Sequence, residues 1–498
     1  MSSPPAPEVE SGALGSANLL DSPEAGGVAI RGSAIRGVGY AVTVLLSLVS
    51  APLLTRHLGV VGFGRYTQVA SLIALVGAVT EAGLGILAVR EYVVLTQEGR
   101  QELVRNLLGL RLALTLGGVV VAAAFAALAG YGGDLVLGTV AAGAGLVAYV
   151  TQNAYAAPLA ADLRLGWMTV IDIARQGVFV LLVVALVLAG ATVVPLLAVP
   201  IAAGVVALVA TVALVRGRVS LRPGFEVTAW RSMLRETLPL AASTAIYSVY
   251  LRVVVLLMSL LSGAVQAGYY ALSFRVVETL AAVPFVLIGA LLPVMTRAAQ
   301  HDRDRFRETL QGTFEVSVIA GLGMTVVTAM GARLAINVLS PHAGQPAVGV
   351  LEIQSLALAL AFLTTAWGLA LVTLRRHLEI VVANAAGLVA LVVLAVVLVP
   401  VLGARGGALA SVIGETVLMA TYVVQLHRVR PDLGLRLGVV PRAMLAAGAA
   451  VLAAKLSGFG AVAAPIVAGT AYVAGVVVLR AIPAEVRTAL TGRWRRRG

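Results

Sequence analysis

Residues 180–188 read VLLVVALVL and residues 389–398 read VALVVLAVVL. Neither run carries a polar face at helical or strand spacing, so neither marks the surface of a domain folded in water. Read outward to the nearest polar breaks, they grow to residues 168–190 and 379–401. Each is long enough for a helix to cross a hydrocarbon core about 30 Å thick at about 1.5 Å per residue. Twelve more stretches of this kind follow one another: 36–57, 63–89, 104–129, 135–160, 193–215, 236–260, 268–295, 311–338, 347–374, 405–427, 441–456 and 460–480. The chain of 498 residues is therefore predicted to be an all-α polytopic membrane protein with about 14 transmembrane helices, short loops and no large soluble domain.

Composition points the same way. The chain is 60% hydrophobic and 12% charged, with mean hydropathy +0.98, whereas soluble domains are nearer half apolar and a quarter charged. It has no cysteine, which removes disulfides, thiolate nucleophiles and Cys-ligated zinc. The net charge is +13, and Lys455 is the one lysine among 36 basic residues. So basic a chain raises the question of nucleic acid, but the arginines are sorted by side of the membrane. About 27 of them fall in alternate loops and at the two ends: Arg31 and Arg36, Arg90 to Arg111, Arg164, residues 216–235, 297–307, Arg375 and Arg376, 428–442 and 487–497. The intervening loops and span ends hold about five bases: Arg56, Arg65, Arg333, Arg405 and Lys455. By the positive-inside rule both termini are cytoplasmic, and no nucleic-acid partner is expected. Residues 1–28 lack any base and carry Glu8, Glu10, Asp21 and Glu24. They read as a disordered tail rather than a signal peptide.

The longest polar break, residues 215–229, contains RGRVSLRPGF and divides the chain in two. The predicted organisation is a tail (1–28), an N-lobe of spans one to six (29–215), a cytoplasmic linker (216–233), a C-lobe of spans seven to twelve (234–430), and spans thirteen and fourteen with a basic tail (431–498). An internal echo supports the division. LGVVGFGRY at 58–66 joins spans one and two, and SGAVQAGYY at 262–270 joins spans seven and eight. Gly64 and Tyr66 thus match Gly268 and Tyr270 at the same joint of each half. Both halves start from the same side, which makes a parallel pseudo-twofold repeat about the membrane normal.

Two lobes around a central cleft describe a transporter, and the sequence offers no catalytic set. His57, His301, His342, His377 and His427 all lie in loops or at span ends. The first outer loop, residues 56–63, has no acid, and Asp302 and Asp304 sit in a charged inner stretch, HDRDRFRE. No GxxxxGK[ST] phosphate loop occurs, so ATP is not expected to be hydrolysed by this chain. Neither a cofactor nor a metal is expected.

Three stretches carry a family resemblance: LLTRHLGVVGFGRYTQVASLIALVGAVTEAGLGILAVRE at 53–91, LRETLPLAASTAIYSVYLRVVVLLMSLLSGAVQAGYYALSFRVVETLAAVP at 234–284, and VPVLGARGGALASVIGE at 399–415. With them the chain resembles the oligosaccharide flippase branch of the multidrug/oligosaccharidyl-lipid/polysaccharide exporter superfamily, over roughly residues 30–430. The resemblance implies a flippase, not an enzyme, in the bacterial inner membrane. It would move a polyprenyl-diphosphate-linked glycan to the outer leaflet, with membrane lipids and polysaccharide polymerase or assembly proteins as partners. The branch often has an acid just after the arginine of span seven; here Arg252 is followed by Val253, Val254 and Val255. The alternatives are a lipid II flippase, which predicts a more strongly cationic cleft, a multidrug or cation antiporter, which needs a cluster of titratable acids, and a membrane enzyme of sugar assembly.

Charges within spans cost about 2.5–3.5 kcal/mol on insertion scales, so they mark the candidate sites. Arg252 on span seven and Arg275 on span eight are the two arginines expected deep in the cleft, where their forked donors suit a diphosphate. Glu278 lies three residues after Arg275, on the same helix face. It is either part of that site or the partner of a structural ion pair. Glu81, Asp172 and Glu415 are possible coupling acids; Asp172 is also spaced to pair with Arg175. Gln152, Asn153 and Asn384 are candidates for sugar contact or for hydrogen bonds between helices. Pro52, Pro239 and Pro284 are expected to kink their spans.

Overall fold

Gly59 makes the first turn of the fold. The computed structural model describes residues 25–481, apart from 82, 218, 221, 302, 342, 435 and 459. The expected N-terminal tail up to residue 24, the C-terminal basic tail and Asp302 lie outside the described residues, as does the side chain of Pro239. Helix α1 (Ala25–Glu81) is interrupted at Gly59, where φ is 65° and ψ is −179°, a backbone state that suits glycine alone. The two arms on either side run in opposite directions. On the first arm Gly39 packs on Thr169 and Thr55 donates a hydrogen bond to the carbonyl of Leu339 (2.5 Å). On the second, Gly62 lies near Val193 and Val76 packs on Gly118. Pro52 lies inside the first arm, where a kink is expected, but the non-helical residue of α1 is Gly59, seven residues later, in the expected joint between spans one and two.

The rest of the first half is α2 (Leu84–Val94), α3 (Gln97–Leu128), α4 (Gly133–Ala161), α5 (Leu165–Leu188) and α6 (Val193–Val215). The second half begins with α7 (Val227–Leu261), so the last residues of the expected linker are helical. It continues through α8 (Gly263–Leu280), α9 (Ala282–Gly289), α10 (Leu292–His301), α11 (Arg303–Met330), α12 (Ala332–Leu339), α13 (Ala347–Thr373), α14 (His377–Leu402) and α15 (Ala404–Val429). Helices α16 (Val439–Leu456) and α17 (Ala463–Val478) pair with each other and lean on α11. Twelve helices are long and apolar enough to cross a membrane. The first of these contains both arms of the Gly59 turn, and the shorter α17 completes about fourteen crossings. No strand occurs among the described residues.

Three spans expected to be continuous are broken, span nine at Gly331 between α11 and α12. Span two is interrupted before α2, where Gly83 has φ 76°. Span eight is cut at Ala281 and again before α10. Pro284 lacks the N–H that would bond the carbonyl of Leu280, and the first cut falls within that turn.

The two halves are sealed to each other at the end that holds the Gly59 turn. An apolar cluster there joins Leu54 and Phe63 of α1 to Leu272 of α8, Ile336 of α12 and Leu351 of α13. At its centre the two repeat glycines meet: a Cβ on Gly64 would lie 2.9 Å from both Cα and N of Gly268. Residues related by a twofold axis touch only beside that axis, so this contact locates the axis of the repeat. Overfilling a packed interface costs about 1–3 kcal/mol, or a population shift of about 5- to 150-fold. Gly268→Val is therefore expected to spread this end. Ala271, fully buried on α8 and part of the cavity wall, would report it. Because the chain has no cysteine, Ala271→Cys alone should resist an impermeant maleimide, and the double variant should be labelled.

At the other end the chain straps itself to the first half. Gly224 donates its N–H to the carbonyl of Arg105 (2.7 Å), and Glu226 donates its N–H to Oδ1 of Asn106 (3.2 Å). Beyond the strap, Arg90 of α2 is ion-paired with Glu236 of α7.

Candidate functional site

Between the halves lies a cavity of about 480 Å³. Its walls come from α1, α4, α5, α6, α7 and α8. Small residues on α4 and α6 make this space possible by letting those helices approach closely: a Cβ on Gly145 would meet Pro200 at 2.6 Å. The charged part of the wall holds Arg175, Arg252, Arg275 and Glu278. The three arginines exceed the single carboxylate by two positive charges. The remainder is largely apolar and aromatic, with Phe63, Tyr66, Tyr149, Phe179 and Phe274.

Arg252 and Arg275 converge because α7 and α8 are joined by the tight Ser262–Gly263 turn, where Gly263 has φ 78°. Their guanidinium groups share Glu278. Arg252 Nη2 lies 2.5 Å from Oε1, and Arg275 Nη1 lies 3.2 Å from Oε2. Arg275 also donates through Nη2 to Ser47 Oγ at 2.6 Å, tying α8 to α1. Arg252 stands 5.7 Å from the ring centroid of Phe274. The three charged side chains are about a quarter to a third exposed, at 25%, 32% and 28% for Arg252, Arg275 and Glu278. They face the cavity rather than a sealed core.

Sequence reasoning missed Arg175 as a cavity residue. Its expected pairing with Asp172 does not form, because Asp172 reaches across to Arg36 of α1 (3.2 Å). Arg175 instead turns into the cavity, 5.1 Å from the ring centroid of Tyr149, and its Nε is buried without a hydrogen-bond partner. Arg111 was also missed. Counted above among the loop bases, it is 1% exposed and bonds Glu81 at 3.0 Å. The signal was present: LLGLRLAL at 107–114 embeds this arginine in an apolar run. The expectation of two arginines in the cleft is therefore corrected to three, with Arg111 a fourth, buried outside the cavity wall.

The other predicted residues lie away from the cavity wall. Glu81 is paired with Arg111, and Asp172 with Arg36. Gln152 donates to Thr211 Oγ1 (3.1 Å), joining α4 to α6. Asn153 is half-buried on α4. Asn384 accepts from Tyr422 (3.0 Å) and donates to Ser243 (3.4 Å) inside the second half. Gln152 and Asn384 are placed to join helices, not to touch a ligand in the cavity. Glu415 is held differently from the other acids: Tyr250 donates to Oε2 (2.5 Å) and Thr364 to Oε1 (2.8 Å). No arginine pairs with it among the described residues. No group of three metal-ligating side chains is found among them either.

With this geometry in view, the chain can be set beside known proteins. The family model for "Polysaccharide biosynthesis protein" matches residues 29–299, more than half of the chain. No curated protein matches the sequence. Among solved structures, the fold is shared with a lipid II flippase, MurJ, in an inward closed conformation, at TM-score 0.73 and 11% identity over 89% of this chain and 98% of that one. An inward-facing multidrug resistance MATE family transporter gives TM-score 0.64 at 14% identity, over 78% and 95% of the two chains. An outward-facing MATE transporter gives 0.55 at 15% identity, over 84% and 98%. The two MATE transporters are members of the MOP superfamily, and this chain shares their fold.

Proposed function

The chain belongs to the polysaccharide biosynthesis protein family, and we propose that it is a flippase carrying a polyprenyl-diphosphate-linked glycan from the inner to the outer leaflet of a bacterial cell membrane. The observation that carries this reading is the cavity between the halves, with three arginines against one acid. A diphosphate brings several anionic oxygens, which guanidinium forks bind in pairs. Aromatic walls suit sugar rings, and the lipid tail would remain in the bilayer. The arginine distribution supports a cytoplasmic position for both termini. The cavity would then face the two leaflets in turn, as the seal at the repeat glycines and the Arg90–Glu236 pair at the other end open alternately. Such a cycle proceeds only if the substrate binds the two states differently.

The decisive experiment is complementation. In cells lacking the gene, lipid-linked glycan should accumulate on the inner leaflet, and the intact gene should clear it. Persistence of the accumulation despite normal expression would overturn the reading. Arg175, by raising the positive charge of the cavity, favours a second reading: lipid II as the cargo. Rescue of cells depleted of their lipid II flippase would select it. A cationic drug is disfavoured by the sign of the cavity.

Glu415 is the proposed coupling acid. Glu81 and Asp172 each face an arginine, so protonating either would break an ion pair. Glu415 is held by hydroxyl groups alone and can take a proton without that loss. Glu415→Gln is expected to leave inorganic pyrophosphate binding within about twofold of the parent. It should also remove the dependence of flipping on an imposed proton gradient in proteoliposomes. Retained gradient dependence would exclude the role.

A further inference from the structure

When the cavity is empty, Glu278 occupies the donors that the proposed substrate needs. Each carboxylate oxygen takes one guanidinium, Oε1 that of Arg252 and Oε2 that of Arg275. The arginines come from different helices, so the carboxylate bridges α7 and α8 as a two-oxygen anion. Arg175, across the cavity, has no acid partner among the described residues and keeps a buried, unpartnered Nε. All three members of the bridged set keep some exposure to the cavity, which leaves the carboxylate room to swing away.

We propose that Glu278 is an internal stand-in for substrate phosphate, holding Arg252 and Arg275 when the cavity is empty and competing with a diphosphate for them when it is filled. The inference rests on the reading of the cavity as a diphosphate site and assigns Glu278 a positioning role in it. An incoming diphosphate meets Arg175 first, since that guanidinium is not neutralised by an acid. It then displaces the carboxylate from the other two. On the far side of the cycle the carboxylate retakes its arginines and drives the product out. A site with three unopposed arginines would bind its cargo tightly and release it slowly. Glu278 exchanges part of that affinity for release.

The competition has a quantitative consequence. If the arginine pair is free of Glu278 about one tenth of the time, apparent affinity is about tenfold below intrinsic affinity. Glu278→Gln keeps the size of the side chain and removes its charge. Calorimetric titration of inorganic pyrophosphate into the full-length protein in lipid nanodiscs should show about tenfold tighter binding for this variant. Flipping by the same variant should show a lower kcat together with a lower KM. Glu278→Asp retains the anion on a shorter stem and should fall between the parent and Glu278→Gln. A purely structural ion pair predicts the opposite: loosened arginines and weaker pyrophosphate binding. Unchanged or weaker binding in Glu278→Gln, while Arg252→Ala and Arg275→Ala weaken it, would overturn the competition and leave the diphosphate site standing. Pyrophosphate binding untouched by either arginine variant would overturn both.

Discussion

Glu81→Leu is expected to destabilise the protein by about 3 kcal/mol, because it leaves the guanidinium of Arg111 charged and unpaired inside the first half. Arg111 is 1% exposed, and its hydrogen bond to Glu81 Oε1 is 3.0 Å long. Its Nε is already buried without a partner, so the lost carboxylate has no substitute nearby. The measurement is the unfolding midpoint of purified protein, read by loss of the monodisperse peak after heating. Arg111→Met should also destabilise, since Glu81 Oε2 is already buried without a partner and Oε1 would lose its guanidinium. The double variant Glu81→Leu/Arg111→Met should recover most of the loss, since apolar groups of similar volume often replace a buried pair at little cost. Failure of the double variant to recover would mean that the pair contributes through something other than mutual neutralisation. Position gives the pair a further consequence. Glu81 is the last residue of α1 before the break at Gly83, and α2 beyond that break carries Arg90, which pairs with Glu236 across the halves. Arg111 thus anchors the end of α1 that leads into α2, whose Arg90 closes the cytoplasmic end in the proposed cycle.

Arg275→Ala and Arg252→Ala are each expected to lower flipping by about 30- to 150-fold, which corresponds to about 2–3 kcal/mol for a hydrogen bond to a charged group. Arg275 should be the more sensitive of the two. Besides facing Glu278 it donates to Ser47 Oγ at 2.6 Å, so its loss also frees α8 from α1. Ser47→Ala isolates that second part and should cost about 1 kcal/mol, the ordinary worth of one hydrogen bond. Arg→Lys at either position keeps the charge but loses the fork, and is expected to rescue only part of the activity. The readout is the rate at which labelled lipid-linked glycan becomes accessible at the outer surface of proteoliposomes. Near-normal rates in both alanine variants would remove the arginines from the substrate path.

The sequence by itself determined that this chain is a bundle of membrane-crossing helices, in which order they come, and where its repeat lies. Hydropathy summed over about 20 residues is a local property, and no later packing can reverse it. The joint at 58–66 and 262–270 was legible for the same reason: a turn writes its glycine requirement into the turn itself. Arg252, Arg275 and Glu278 could be placed together because they sit on two consecutive helices joined by a tight turn. The tertiary structure alone decided the partners of the remaining charges. Asp172 and Arg175 are spaced to pair on one helix, yet Asp172 bonds Arg36 from another and Arg175 enters the cavity. Glu81 and Arg111 lie thirty residues apart on different helices and form a buried pair. In the hydrocarbon layer an ion takes whichever opposite charge desolvates it least. That choice depends on helix rotation and crossing, set by contacts such as Gly64 on Gly268, which no single segment of the sequence encodes.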